Sequence, residues 1–64
     1  MHYYRLKKTI INLKEVISVQ IRNIDELHIT FKNGSETTVV YVGDLDVLYT
    51  EYERIWLALT NMKE

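Results

Sequence analysis

The hydrophobic and polar positions of this chain follow two different periods, and the change comes at Gly43. Before Gly43, apolar residues alternate with polar ones in segments such as VISVQI and LHITF. A period of two is typical of strands that bury one face. After it, apolar residues recur at steps of three and four, at Leu45, Leu48, Tyr52, Ile55, Leu59 and Met62. This second period predicts an amphipathic helix with one apolar stripe.

The segment LHITFKNGSETTVVYV predicts a β-hairpin that turns at Asn33-Gly34. Asn-Gly is favoured at the two central positions of a type I′ turn, because both positions need a positive φ. With that turn, Phe31 pairs with Glu36 and Leu27 pairs with Val40. The predicted core face consists of Leu27, Ile29, Phe31, Val40 and Val42. The predicted opposite face consists of His28, Thr30, Thr37, Val39 and Tyr41.

The residues upstream of the hairpin also read as strands. VISVQI alternates, RNIDE forms a polar turn after it, and YYRLKKTIINL is rich in β-branched and aromatic residues. A bend is expected near Lys7-Lys8 and a turn at LKE, Leu13 to Glu15. We therefore predict one α+β domain over residues 1–64. It has a three- to four-stranded antiparallel β-meander over about 3–42, followed by one C-terminal α-helix over about 44–62 that packs on one sheet face.

The predicted helix carries more apolar surface than one sheet face needs. Tyr49 and Trp56 fall at the edge of its stripe, and Leu57 lies outside it. Tyrosine and tryptophan are enriched where one protein grips another, because they offer broad rigid area and a polar tip. The predicted protein-interface residues are therefore Tyr49, Trp56, Leu57, Val39 and Tyr41. The alternative is that these side chains only close the rim of the monomer's own core.

The short length of the chain favours the first of these alternatives, an interface with another protein chain. A chain of 64 residues buries a thin core, and proteins this small usually add disulfides, a metal or a partner chain. The sequence has no cysteine and only two histidines, so a partner chain is the remaining support. A homodimer is the leading form, because most soluble homo-oligomers use a two-fold axis. No segment resembles a signal peptide or a membrane span, and we expect a cytoplasmic protein with no membrane partner.

Charge is unevenly distributed along the chain. Residues 1–22 hold five of the eight Lys and Arg residues and one of the nine acids. The segment HYYRLKK interleaves aromatic and basic residues, so Arg5, Lys7 and Lys8 are candidate anion-binding residues. A nucleic-acid partner is nevertheless disfavoured, because the net charge is −1. The two halves of the chain can also simply neutralise each other, or attract another copy head to tail.

Catalytic patterns are missing from the sequence. There is no nucleophile elbow, no P-loop and no metalloprotease helix, and two glycines are too few for a phosphate cradle. His28 reads as a half-exposed strand residue, and Asp44 and Asp46 read as residues that favour the start of a helix. We predict no catalytic residue, no metal site and no cofactor.

Two segments of the sequence resemble known proteins. IINLKEVISVQI and ITFKNGSETTVVY, followed by the closing helix, resemble a loose class of short bacterial and phage proteins. These share an Ile/Asn/Leu strand, a tight turn, a Val-rich strand, an Asn-Gly hairpin and a helix, over about residues 9–43 plus the helix pattern. Flagellar regulators of the FlbD type show a similar strand rhythm. The resemblance implies the fold predicted above and assigns no role to any residue.

These observations lead to one functional prediction and two alternatives. The prediction is a non-enzymatic protein-interaction module, a self-associating small bacterial or phage adaptor, regulator or inhibitor that can also bind a second protein. The first alternative is a nucleic-acid- or anion-binding module that uses the basic N-terminal strand. The second is a homo-oligomer that binds a small ligand at the seam between its subunits.

Overall fold

The computed structural model describes residues 2–62 and confirms the α+β class. Its strands are β1 (Tyr3–Leu6), β2 (Thr9–Asn12), β3 (Val16–Arg22), β4 (Glu26–Phe31) and β5 (Glu36–Val40), and its helix is α1 (Leu45–Met62). A 3₁₀ turn at Leu13–Glu15 joins β2 to β3. Helix α1 packs against the sheet through Leu48, Ile55 and Leu59, as the spacing of its apolar residues predicts.

The strands form two antiparallel sheets. Strands β3, β4 and β5 form the predicted meander, in that order. The N-terminal extended segment folds back on itself as a separate two-stranded hairpin, β1 with β2. Its turn lies at the predicted bend, where Lys7 has a φ of 52°. The chain continues this ladder beyond the strands, because the N–H of Leu13 donates to the carbonyl of His2 at 2.6 Å.

The predicted register of the β4–β5 hairpin is wrong by one residue. The N–H of Phe31 donates to the carbonyl of Ser35, and the N–H of Gly34 donates to the carbonyl of Phe31, both at 2.9 Å. The loop therefore has three residues, and of Asn33 and Gly34 only Gly34 has a positive φ, of 89°. A turn followed by a left-handed glycine is the usual three-residue hairpin loop. The Asn33 side chain accepts the N–H of Ser35 at 2.9 Å, which holds this loop closed.

This shift turns every side chain of β5 to the opposite face, since side chains alternate along a strand. Leu27 pairs with Val39 instead of Val40. Val39 and Tyr41 are 6% and 1% exposed, whereas Val40 and Val42 are 43% and 75% exposed. Burial raises the pKa of Tyr41 to about 12. The core face of β5 is therefore the face that the sequence assigned to the outside.

One core joins the meander, the hairpin and the helix. Two contacts place the β1–β2 hairpin: the Tyr4 hydroxyl donates to Glu51 and the Lys7 ammonium donates to the carbonyl of Val40, both at 2.6 Å. Because the N–H of Tyr41 donates to the carbonyl of Asp25, the residue before β4, the carbonyl of Val40 points away from the sheet. The hairpin thus lies along the β5 edge and against the flank of α1 that carries Glu51, while α1 lies over β3 and β4. The buried residues are Leu6, Ile11, Leu13, Val16, Val19, Leu27, Ile29, Val39, Tyr41, Leu48, Ile55 and Leu59.

The turn between β3 and β4 holds an isoleucine in an unfavourable conformation. Ile24 has a φ of 72°, and its side chain is 73% exposed. The left-handed region disfavours β-branched residues and tolerates asparagine. We expect Ile24→Asn to raise the free energy of unfolding by about 1 kcal/mol, measured by urea denaturation. Ile24→Val keeps the branched side chain and is expected to leave the free energy of unfolding unchanged. An equal increase in both variants would show that the positive φ of Ile24 does not destabilise the fold.

Candidate interaction surface

One flank of α1 forms a row of large side chains that the rest of the chain leaves partly uncovered. Leu45, Tyr49, Tyr52 and Trp56 are spaced by four, three and four residues, so they lie within about 60° of one another at 3.6 residues per turn. We call this row the aromatic flank. The buried stripe of the helix separates it from Glu51 and the hairpin, so it lies on the β3 side of the molecule.

The aromatic flank is exposed over most of its length. Leu45, Tyr49 and Trp56 are 40%, 53% and 38% exposed, and Tyr52 is half-buried. The rings of Tyr52 and Trp56 meet edge to face, with centroids 6.3 Å apart, which restricts both side chains before any partner arrives. Leu57, 64% exposed, borders a shallow groove with Glu53, Trp56 and Thr60.

The structure separates the five residues that the sequence predicts as an interface. Tyr49, Trp56 and Leu57 lie on the surface of the helix, and their role as an interface stays a prediction. Val39 and Tyr41 lie in the core, because the hairpin register turns them to the face of the sheet that carries Leu27 and Ile29. They are not available to a partner. The open face of the sheet consequently carries Val40, which is 43% exposed, instead of the two apolar residues that the sequence assigned to it.

Leu45 and Tyr52 join the candidate surface only in the structure. The sequence places both in the core stripe of α1, because they keep its spacing of three and four. The centre of that stripe lies at Leu48, Ile55 and Leu59, so Leu45 and Tyr52 fall at its border. The signal in the sequence is a second, parallel row with the same spacing, which includes Tyr49 and Trp56.

The edge of β3 lies below the aromatic flank and is closed at its centre. Along β4, every second residue starting from Phe31 hydrogen-bonds to β5, and the residues between them hydrogen-bond to β3. Val19 and Ile21 pair with residues of the first set, so their own N–H and carbonyl groups point away from the sheet. Val19 is nevertheless only 2% exposed, since α1 lies over this strand. At the centre of this strand the surface open to a partner is therefore the helix, whereas Ile17 near the start of β3 is 58% exposed.

A groove with basic residues lies at the C-terminal end of the aromatic flank. Its volume is about 460 Å³. It is lined by His2, Leu13, Lys14, Glu15, Val16, Ile17, Lys32, Trp56, Leu59 and Met62. Within residues 2–62, Lys14 and Lys32 make no ion pair. Burial and the neighbouring Lys14 ammonium lower the pKa of His2. The groove thus brings together Trp56, one acid (Glu15) and two lysines that make no ion pair. Sequence reasoning missed this grouping because the lysines are far apart in the chain.

The candidate anion-binding residues lie together at the turn of the β1–β2 hairpin, but one of them has a structural role. The Lys7 ammonium bonds to the carbonyl of Val40 and lies 4.6 Å from the centre of the Tyr41 ring. The side chain of Arg5 donates to the carbonyl of Lys7 at 3.0 Å. Lys8 is exposed. Lys7 therefore fixes the hairpin to the sheet, and anion binding by the three residues stays a prediction.

The open face of the sheet carries a network of ionisable residues around His28. Its Nε2 lies 2.8 Å from Glu26 and its Nδ1 lies 3.2 Å from Glu36. The hydrogen bonds to Glu26 and Glu36 raise the pKa of His28. The hydrogen bond with His28 lowers the pKa of each carboxyl. The described residues contain no group of three or more His, Cys, Asp or Glu side chains arranged to hold a metal ion.

This network predicts a stability that depends on pH in both directions. The raised pKa of His28 contributes stability that is complete below its ordinary value of 6.5 and is lost as pH rises through the raised value. The lowered pKa values of Glu26 and Glu36 contribute stability above 4.5 that is lost as pH falls. We expect the thermal midpoint of the chain to be highest between these two limits. In His28→Asn the decline above pH 6.5 should disappear; an unchanged profile would contradict the network.

Comparison of the chain with protein-family models, with curated proteins and with solved structures gives no match. Among residues 2–62, no helix is long and apolar enough to cross a membrane. Any function therefore has to be inferred from the surfaces of this chain.

Proposed function

We propose that this chain is a non-enzymatic protein-interaction module that associates with itself, as a dimer first, through the aromatic flank. One observation carries the proposal: Leu45, Tyr49, Tyr52 and Trp56 form a continuous row along α1, and three of the four are at least 38% exposed. Isolated exposed apolar residues are normal on a protein surface. A row of them, with two tyrosines and a tryptophan, is typical of interfaces.

The size of the core supports the same proposal. Three residues of α1 are buried in the core, Leu48, Ile55 and Leu59, although the helix spans 18 residues. A second copy that covers the aromatic flank adds apolar burial to a domain that has little of its own. Residues near the flank extend the apolar area, since Ile17 is 58% and Leu57 is 64% exposed.

The biological setting is part of the proposal. A small bacterial or phage adaptor, regulator or inhibitor suits a domain that presents one helix and carries no catalytic pattern. A chain without cysteine needs no oxidising compartment, which supports action in the cytoplasm. A second protein that docks on the same flank competes with self-association, because both use the same side chains.

Sedimentation velocity tests this proposal. We expect the weight-average mass of the chain to rise from one to two chain masses between low micromolar and near-millimolar concentration. Leu57→Glu places a charge beside the flank on a residue that the fold does not bury, and is expected to keep the chain monomeric. A wild-type chain that stays monomeric over the whole range would contradict the proposal.

A further inference from the structure

We infer that the occupant of the aromatic flank is a second copy of this chain with its helix antiparallel, so that Leu45 of each copy lies against Trp56 of the other and Tyr49 lies against Tyr52. This inference rests on the proposed function and adds the partner's orientation and register. Three observations carry it: the spacing of the flank, the position of its basic groove and the acids at the start of α1.

The spacing of the flank is the same in both directions. The steps of four, three and four residues from Leu45 to Trp56 read identically from either end. An antiparallel copy therefore presents its four side chains at the same heights, as in helix pairs packed along three- and four-residue rows. Each pair joins one smaller and one larger side chain at the ends of the row, and two tyrosines at its centre. A two-fold axis between Tyr49 and Tyr52 makes the surface self-complementary.

Charge complementarity distinguishes an antiparallel from a parallel arrangement of the two α1 helices. Asp44 and Asp46 lie at the start of α1, next to Leu45. Lys14 and Lys32 line the groove beside Trp56, at the other end of the flank. An antiparallel copy brings its two acids to these two lysines, and does so twice, once on each side of the axis.

A parallel copy is disfavoured by the same charges. It places Asp44 and Asp46 beside their own equivalents and leaves both lysine pairs without acids. Like charges at close range across an interface oppose binding, and helix dipoles favour the antiparallel arrangement. Glu15 also lines the groove, but neither Lys14 nor Lys32 makes an ion pair within residues 2–62, and the antiparallel copy supplies acids to both.

Charge reversal tests the orientation separately from self-association. We expect Lys14→Glu/Lys32→Glu to weaken the dimer about tenfold, because four attractive pairs, two on each side of the axis, become repulsive at a partly exposed site. Arg5→Glu/Lys8→Glu makes the same change in net charge at the hairpin turn, on the opposite flank of α1, and is expected to leave the dissociation constant unchanged. Adding Asp46→Lys to the Lys14→Glu/Lys32→Glu chain should restore most of the affinity. Circular dichroism of each variant checks that the fold is retained.

The outcomes separate the two proposals. Weakening by Lys14→Glu/Lys32→Glu with rescue by Asp46→Lys supports the antiparallel dimer. If neither Lys14→Glu/Lys32→Glu nor its combination with Asp46→Lys changes the dimer, but Leu57→Glu disperses it, the antiparallel orientation is overturned and self-association stands. Weakening without rescue also overturns the orientation, because the acid at the helix start is then not the partner of the lysines. A wild-type chain that never associates overturns both proposals.

Discussion

Tyr49→Glu is expected to convert the associated chains into folded monomers. Tyr49 lies near the centre of the aromatic flank and is 53% exposed. In the associated state a glutamate there loses its water without gaining a cation, since the nearest described residues of the flank are Leu45, Tyr52 and Trp56. Truncating or charging a central aromatic residue of an interface costs about 2–4 kcal/mol. We therefore expect the dissociation constant to rise about a hundredfold.

The same substitution should leave the monomer intact, which makes the result interpretable. Tyr49 contributes no side chain to the buried core, so its replacement changes the free energy of unfolding by about 1 kcal/mol or less. Ile10→Glu is the matched control, because Ile10 is 68% exposed but lies on β2, away from the flank. If Ile10→Glu disperses the chains as strongly as Tyr49→Glu, the interface lies on the hairpin instead.

Val39→Asp and Val40→Asp are expected to differ more than any other pair of neighbouring substitutions. Val39 is 6% exposed in the core, and Val40 is 43% exposed on the open face of the sheet. Burying an unpaired carboxylate costs about 4 kcal/mol or more. That is comparable to the whole stability expected of a small domain, about 0.05–0.15 kcal/mol per residue. Val39→Asp should therefore unfold the chain, whereas Val40→Asp should cost about 1 kcal/mol or less.

This pair tests the three-residue loop directly, because the two-residue turn predicts the opposite result. With Asn33-Gly34 at the centre of a type I′ turn, Val40 faces the core and Val39 faces solvent. Far-UV circular dichroism and urea denaturation of the two variants decide between the registers. A folded Val39→Asp chain together with an unfolded Val40→Asp chain would contradict the three-residue loop and support the two-residue turn that the sequence predicts.

Most of the fold follows from local patterns in the sequence. The apolar steps of α1 specify a helix, and the alternation in β3 and β4 specifies strands, because each pattern fits only one of the two periods. The bend at Lys7-Lys8 separates two short strands that cannot continue through it. The register of β5 does not follow from the sequence, since Asn-Gly fits a two-residue and a three-residue loop alike. A difference of one residue in the loop then exchanges Val39 and Val40.

The candidate surface follows from the sequence only in part. Tyr49, Trp56 and Leu57 stand out because they exceed what the core stripe of one helix needs. Lys14 and Lys32 do not stand out in the sequence, because only strand pairing brings them near each other. The N–H of Lys32 donates to the carbonyl of Glu15, the neighbour of Lys14, at 2.8 Å. Such a contact depends on the register between β3 and β4, which no short segment encodes.

Trp56 is the only tryptophan in the chain, so its fluorescence reports on the aromatic flank alone. Acrylamide quenching of this emission, measured from dilute to concentrated protein, tests most directly whether a second copy covers the flank. We expect the quenching constant to fall as concentration rises, and to stay high in Tyr49→Glu at every concentration. Equal quenching of the wild-type chain at all concentrations would show that Trp56 stays open to solvent, which contradicts the dimer.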